Sequence, residues 1–134
     1  MQFTTLSLLS LAALAAALPA SNEPRQTTVD PAQVPDFGIT AGQDPVDGNC
    51  AGANGARIPC DCPPDRDSFI STLSADVAAG SAYGTPVTWS TDDSTDGQRA
   101  RLQAAIVVLE NLTGAGVGCP VSSTTYQAQL AALG

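Results

Sequence analysis

Three stretches in the second half of the chain place apolar residues three or four positions apart, the spacing of an amphipathic helix. The first opens at residues 63–67, where prolines and acidic residues favour a helix N-terminus. Its apolar positions are Phe69, Ile70, Leu73 and Val77. Gly80 follows, and glycine readily adopts the left-handed conformation that ends a helix. We therefore expect a first helix between these two signals.

Two further helices follow from the same reasoning. The second opens at residues 91–96, a run of N-cap residues and negative charge, and ends before Gly114. Its apolar positions are Leu102, Ala105, Ile106, Leu109 and Leu112. The third begins near residues 123–124, with Gln127 placed to complete a capping box. Its apolar positions are Tyr126, Leu130 and Leu133. Strand-like alternation is confined to a short stretch around Val87, so the pattern predicts an all-α fold of three packed helices.

The N-terminal residues have a different pattern. An apolar run extends from Leu6 to Ala17, with small residues Ala15 and Ala17 at the -3 and -1 positions of a cleavage site. The run is shorter than the roughly 20 apolar residues that span a bilayer. We therefore expect residues 1–17 to be a signal peptide, the protein to be secreted and extracellular, and no membrane anchor to remain.

Residues 18–49 are poor in core-forming side chains and rich in proline. Only six of these 32 residues are Leu, Ile, Val or Phe, and five are Pro. Such a segment cannot bury enough apolar surface to offset the entropy of ordering it. We therefore expect a flexible, disordered Pro-containing arm over 18–49, with Arg25 as a candidate point of further cleavage, and a helical disulfide-stabilised domain over 50–134.

Cys50, Cys60, Cys62 and Cys119 are an even number of cysteines in a chain expected to be exported, which indicates two disulfides. Cys60 and Cys62 are too close in sequence to bridge each other without strain. Two connectivities remain open: Cys50–Cys60 with Cys62–Cys119, or Cys50–Cys62 with Cys60–Cys119. We favour disulfides over a metal or redox site because C-x-C lacks the C-x-x-C spacing and the chain has no His.

Charge and composition exclude several classes of function. The chain carries 13 acidic residues against five arginines, with no Lys and no His, and a formal charge of -8. The missing imidazole excludes Ser-His-Asp and Cys-His catalysis and any zinc site that needs His. The acidic balance argues against nucleic acid, which attracts Lys and Arg. We therefore expect a protein that is not an enzyme, takes no cofactor or metal and binds no nucleic acid.

Two groups of acidic residues can be interpreted either as functional sites or as residues that stabilise helix N-termini. Asp92, Ser94, Asp96 and Gly97 match positions 1, 3, 5 and 6 of a calcium-binding loop, but Gln103 stands where position 12 needs a bidentate acid. Asp61, Asp65 and Asp67 suggest the carboxylate pair of a glycosidase, which needs a desolvating cleft. We favour helix caps and helix-start charges for both groups.

Five more residues are candidates for modification or for contact with a partner. Asn111 opens an N-x-T sequon, and its glycosylation depends on whether the side chain faces outward. Tyr83 and Trp89 either complete the core or form an exposed recognition loop, and we favour the core. Arg99 and Arg101 lie on the predicted second helix, where we expect a solvated face rather than a binding patch.

Three runs of residues carry a resemblance to a known group of proteins. They are IPCDCPPDRDSFI at 58–70, DGQRARLQAA at 96–105 and GVGCP at 116–120. Together they resemble functionally uncharacterised small secreted cysteine-containing proteins of filamentous fungi. The resemblance implies a fungal extracellular protein and brings no catalytic residues with it.

These observations favour a small secreted non-enzymatic protein that acts by surface recognition at the fungal wall or in a host's extracellular space, in the manner of an effector. Its partner would be an unknown extracellular protein or wall component, and we expect a monomer. The alternative is a small carrier in which disulfide-linked helices enclose an apolar ligand such as a lipid. An acid-based hydrolase that uses the carboxylates near the first helix is a third, less favoured hypothesis.

Overall fold

Three α-helices and two small antiparallel sheets make up the regular structure of residues 29–134, the part of the chain that the computed structural model describes. The helices are α1 (Arg66–Ala79), α2 (Thr95–Glu110) and α3 (Tyr126–Ala132). The sheets pair β1 (Asn49–Ala51) with β2 (Arg57–Pro59) and β3 (Ser81–Ala82) with β4 (Thr85–Pro86). The predicted signal peptide over 1–17 and the cleavage point at Arg25 lie outside the described residues.

The three predicted helices are confirmed, but the two sheets make the all-α prediction wrong. Each strand is only two or three residues long, which is too short to show alternation of polar and apolar residues. The β3–β4 hairpin turns on Tyr83 and Gly84, whose φ angles of 47° and 91° suit a tight two-residue turn. In the other sheet, Cys50 lies opposite Ile58.

Capping side chains set where the helices begin. Asp65 at α1 and Ser94 at α2 each accept a hydrogen bond from the backbone N–H three residues on, both at 3.1 Å. Gly80 ends α1 with a φ of 79°. The capping box expected at α3 does not form, because Gln127 is exposed and the hydroxyl of Thr124 accepts the first N–H of the helix, at 3.3 Å.

The centre of the core is a cluster of three aromatic rings. Phe69 of α1 and Tyr126 of α3 are fully buried, and Phe37 lies against both of them. The ring centroids of Phe37 are 5.3 Å from Phe69 and 6.0 Å from Tyr126. Val108 and Leu109 of α2 belong to the same buried cluster, so all three helices share one core.

Residues 29–37, here called the strap, belong to the folded domain, so the flexible arm predicted over 18–49 is wrong for this part. Val29, Val34 and Phe37 are 1%, 4% and 9% exposed. These three apolar residues follow no helical or strand period, because the strap is largely extended backbone with one short 3-10 turn. The low apolar content of this segment therefore predicted disorder, although these three apolar side chains are all buried.

Hydrogen bonds to the backbone hold the strap to two helices. The carbonyls of Pro35, Asp36 and Phe37 accept from Tyr126 Oη at 3.1 Å, Gln129 Nε2 at 2.9 Å and Thr125 N at 2.8 Å. Arg66 of α1 donates to the carbonyl of Val34 at 3.1 Å and pairs with the Asp36 carboxylate at 3.3 Å. These donors bind backbone carbonyls, which every residue has. The side chains of the strap therefore give no sequence pattern from which its attachment to the helices could be predicted.

Two disulfides form within the described residues, which decides between the two connectivities left open by the sequence. Cys50 pairs with Cys60 and closes the β1–β2 hairpin. Cys62 pairs with Cys119 across 57 residues and joins the loop before α1 to the loop before α3. Cys62 and Cys119 are both buried, so this bridge is a covalent part of the core.

Candidate functional site

The acidic run at residues 92–97 is built around the start of α2. Asp92 Oδ2 accepts a hydrogen bond from the Ser94 hydroxyl at 2.8 Å, and Ser94 in turn caps the helix. The hydrogen bonds from Ser94 hold the pKa of the Asp92 carboxyl below its usual value. Asp96 pairs with Arg99 at 2.9 Å. Within residues 29–134, no group of three or more His, Cys, Asp or Glu is arranged to hold a metal ion.

The acidic group near α1 has the same structural role. Asp65 caps the helix, and Asp67 lies in its first turn, where the helix dipole favours negative charge. Asp61, Asp65 and Asp67 are all exposed to solvent. The catalytic acid of a glycosidase needs a carboxyl group that is shielded from solvent, and none of these three side chains is buried in that way.

Arg101 is buried, contrary to the expectation of a solvated face. It is 7% exposed, and its Nη1 donates to the carbonyls of Ser90 at 3.1 Å and Asp92 at 2.8 Å. Its Nη2 contacts the Asp93 carboxylate at 3.2 Å. Arg101 therefore fastens the loop before α2 to the body of the helix.

Arg101 also lines a groove of about 290 Å³ between the strap and α2. The carboxylates of Asp36 and Asp93 are the acidic groups of this groove. Asp36 pairs with Arg66, and Asp93 pairs with Arg101. Because each carboxylate already has an arginine partner, we interpret this groove as the seam along which the strap is attached.

Asn111 faces inward. Its side chain lies at the C-terminal end of α2 and only 9% of the residue is exposed. Its Nδ2 donates to the carbonyl of Val107 at 2.7 Å, and its Oδ1 accepts from the N–H of Gly116 at 2.7 Å. The amide nitrogen that would carry a glycan is therefore already a donor inside the folded domain.

We expect the folded protein to carry no glycan on Asn111, because a side chain that is only 9% exposed leaves no room for a sugar on Nδ2 unless it turns outward and gives up its bonds to Val107 and Gly116. Protein secreted from yeast should show the peptide mass by mass spectrometry, unchanged after treatment with an N-glycosidase. Thr113→Ala removes the sequon and leaves Asn111 in place, so it supplies the control. A glycan present on the wild type and absent from Thr113→Ala would contradict this expectation.

Asp76 of α1 is a carboxylate placed unfavourably for its charge. Its Oδ2 is buried and has no hydrogen-bond partner within residues 29–134, and burial raises the pKa of Asp76 above its usual value. The folded state therefore disfavours the charged form. The resulting loss of stability sets in as the pH rises through the ordinary and then the raised pKa, and it is absent when both states are protonated.

We expect Asp76→Asn to raise the melting temperature at pH 7 and to have less effect at pH 3, where the wild-type carboxyl is neutral as well. Thermal unfolding followed by circular dichroism at both pH values tests this. Asp67→Asn is the control, because that exposed acid lies in the first turn of α1 and should give no gain. An equal gain for Asp76→Asn at both pH values would show that charge is not the cause.

Tyr83 and Trp89 behave differently from each other. Trp89 is half-buried and packs against the core, in line with the favoured interpretation. Tyr83 is 56% exposed at the tip of the β3–β4 hairpin, and it holds a positive φ of 47° that asparagine or glycine adopts more readily. The Tyr-Gly pair between two short strands was the available sequence signal for this turn. The expectation that Tyr83 completes the core is therefore wrong, because the two-residue turn places this residue at the exposed tip of a hairpin.

The second strand of that hairpin borders a small groove between the hairpin and α2. The groove has a volume of about 160 Å³. Its lining residues are Pro86, Thr88, Ala100, Gln103, Ala104 and Val107. None of these side chains is charged, in a chain whose formal charge is -8. We call the Tyr83 hairpin tip together with this groove the hairpin face.

Comparison with known proteins gives no match to a family model, to a curated protein or to a solved structure. The resemblance to small secreted fungal proteins therefore stays a prediction. No helix within residues 29–134 has both the length and the apolar character needed to cross a membrane.

Proposed function

We propose that this protein is a small secreted, non-enzymatic recognition protein that acts at the fungal wall or in the extracellular space of a host. The observation that carries the proposal is Tyr83, an aromatic side chain displayed at a hairpin tip in a backbone conformation that tyrosine rarely adopts. The fungal setting rests on the resemblance of the three sequence runs, and the extracellular setting also on the two disulfides.

A displayed tyrosine is well suited to contact a partner. Tyrosine is enriched at interfaces and at their energetic centres, because a rigid ring supplies a large contact area and a hydroxyl at little cost in entropy. Gly84 gives the second position of the tight turn, and strand pairing of Ser81 with Pro86 holds the hairpin base. The hairpin directly follows α1, and the buried side chains of Ala82 and Val87 anchor its base in the core.

The polar residues that the sequence offered as candidate site residues support a role without catalysis. Asp65 and Ser94 cap helices, Arg101 holds a loop, and Asn111 closes the end of α2. Each of these polar side chains is engaged in maintaining the fold. What the domain offers to other molecules is its surface, which favours recognition as its activity.

The experiment that tests this proposal measures retention of tagged protein on isolated wall material and on extracellular surfaces of host tissue. We expect the oxidised wild type to be retained and the reduced, alkylated protein to be lost. Tyr83→Asn should also be lost, while Val46→Thr, at another exposed apolar position, should behave as wild type. If neither surface retains the oxidised wild type, the proposed function is wrong.

A further inference from the structure

We propose that the hairpin face binds an uncharged polysaccharide, with Tyr83 stacking on a sugar ring and the groove beside β4 receiving the adjoining part of the chain. This inference rests on the proposed function and names the chemistry of its partner. It draws on three observations, which are the display of Tyr83, the lack of charge across the face and the shape of the groove.

The backbone at Tyr83 indicates that the aromatic ring is held there for a purpose other than folding. A two-residue turn with positive φ at both positions is best served by Asn-Gly, and a bulky side chain at the first position costs stability. The ring does not recover that cost by burial, since Tyr83 is 56% exposed. Strain retained at an exposed aromatic residue is the kind of outlier that accompanies a binding role.

Charge selects among partners. The hairpin residues 81–86 and the residues lining the groove are all uncharged. Along α2 the charged side chains nearest the groove are Asp96 and Arg99, which pair with each other, the buried Arg101, which pairs with Asp93, and Glu110 beyond Val107. An acidic protein that keeps one face free of charge offers nothing to a polyanion or a polycation there, and it is complementary to a neutral polymer.

The chemical groups and the shape of the face fit a polysaccharide. The electron-rich face of an aromatic ring attracts the C–H groups on one side of a pyranose ring. Thr85, Thr88 and Gln103 are exposed and bring hydroxyl and amide groups able to bond sugar hydroxyls. At about 160 Å³ the groove is smaller than the ~300–1,000 Å³ of sites that enclose a small molecule. It is therefore suited to one unit of a polymer that lies across the surface.

The test is a binding assay of the oxidised full-length protein on insoluble chitin and insoluble β-glucan, two uncharged polysaccharides, at low salt and at 0.5 M salt. We expect binding to at least one of them and little change with salt. Chitosan, which is cationic, and polygalacturonate, which is anionic, serve as charged comparisons. Binding confined to a charged polymer and abolished by salt would overturn the inference.

Variants at two positions assign the binding to the hairpin face. Tyr83→Phe keeps the ring and should retain most binding, whereas Tyr83→Asn should weaken it about tenfold or more. Gln103→Ala should weaken binding about threefold, and Gln127→Ala, an exposed glutamine on α3, should leave it unchanged. Because Asn suits the turn, Tyr83→Asn should melt no lower than wild type, so its loss of binding cannot come from unfolding. Undiminished binding of this variant would overturn the inference.

The result also separates this inference from the proposed function. If wall or host surfaces retain the protein, but no uncharged polysaccharide does and proteinase treatment of the surfaces abolishes retention, the partner is a protein. The polysaccharide inference is then wrong and the recognition function stands. If no surface retains the protein, both fail.

Discussion

Replacement of Phe37 by alanine is expected to lower the free energy of unfolding by about 3–5 kcal/mol, the usual cost of removing a phenylalanine from a packed core. The ring of Phe37 lies 5.3 Å from Phe69 and 6.0 Å from Tyr126, so its removal leaves a cavity at the centre of the aromatic cluster. Chemical denaturation of the oxidised protein, followed by circular dichroism, measures the change.

This prediction tests whether the strap belongs to the fold. If the strap were a flexible arm, Phe37→Ala would leave the free energy of unfolding unchanged. Val46→Ala is the matched control, because Val46 comes from the same predicted arm and is 58% exposed. It should change the free energy of unfolding by less than about 0.5 kcal/mol. Equal effects of the two substitutions would show that the strap is not packed.

Loss of the Cys62–Cys119 disulfide is the second change with a large expected effect. The double substitution Cys62→Ala and Cys119→Ala frees a loop of 57 residues in the unfolded chain. On the chain-entropy relation, this lowers the free energy of unfolding by about 4 kcal/mol. Both sulfur atoms lie in the buried core, so the substitution also removes packed atoms.

The Cys50–Cys60 disulfide provides the comparison. Its loop spans ten residues, and the same relation gives about 3 kcal/mol for Cys50→Ala with Cys60→Ala. Denaturation of both double variants without reductant, each with its remaining disulfide intact, ranks the two bridges. A larger loss from the hairpin pair would contradict the expectation that the Cys62–Cys119 bridge contributes more to stability.

The helices could be predicted from the sequence because local chemistry determines them. Asp65, Ser94 and Gly80 cap or end α1 and α2 as their positions indicated, and Phe69, Leu73 and Leu109 fall on the buried faces. These features depend on residues three or four apart. They need no knowledge of what the helix packs against.

The strap and the hairpins could not be predicted because they depend on distant parts of the chain. Phe37 is recognisable as a core residue only once Tyr126, far along the sequence, is placed beside it. The two hairpins are too short for a pattern, and their bounds come from the disulfide and from turns at positive φ. Composition averaged over residues 18–49 therefore gave the wrong state for residues 29–37.

The candidate site was predicted only in part. The sequence identified Tyr83 and Asn111 as residues of interest, but it left the orientation of Asn111 open and wrongly favoured the core for Tyr83. Arg101 was assigned to the solvated face because a single arginine in a sequence gives no sign of which carbonyls it will meet. Orientation is a property of packing, and it decides which of these side chains reaches a partner.

Attachment of the strap to α3 determines when the domain can finish folding. The three side-chain bonds that join them span 88, 91 and 93 residues of chain. At the usual ~5–20 residues per second of translation, α3 is made roughly 5–20 seconds after the strap. During that interval the Phe69 ring of α1 is already present, but Phe37 lacks the Tyr126 ring, so the aromatic cluster is incomplete. A chain halted before Thr125 would therefore lack the Tyr126 ring of the aromatic cluster and the bonds that join the strap to α3.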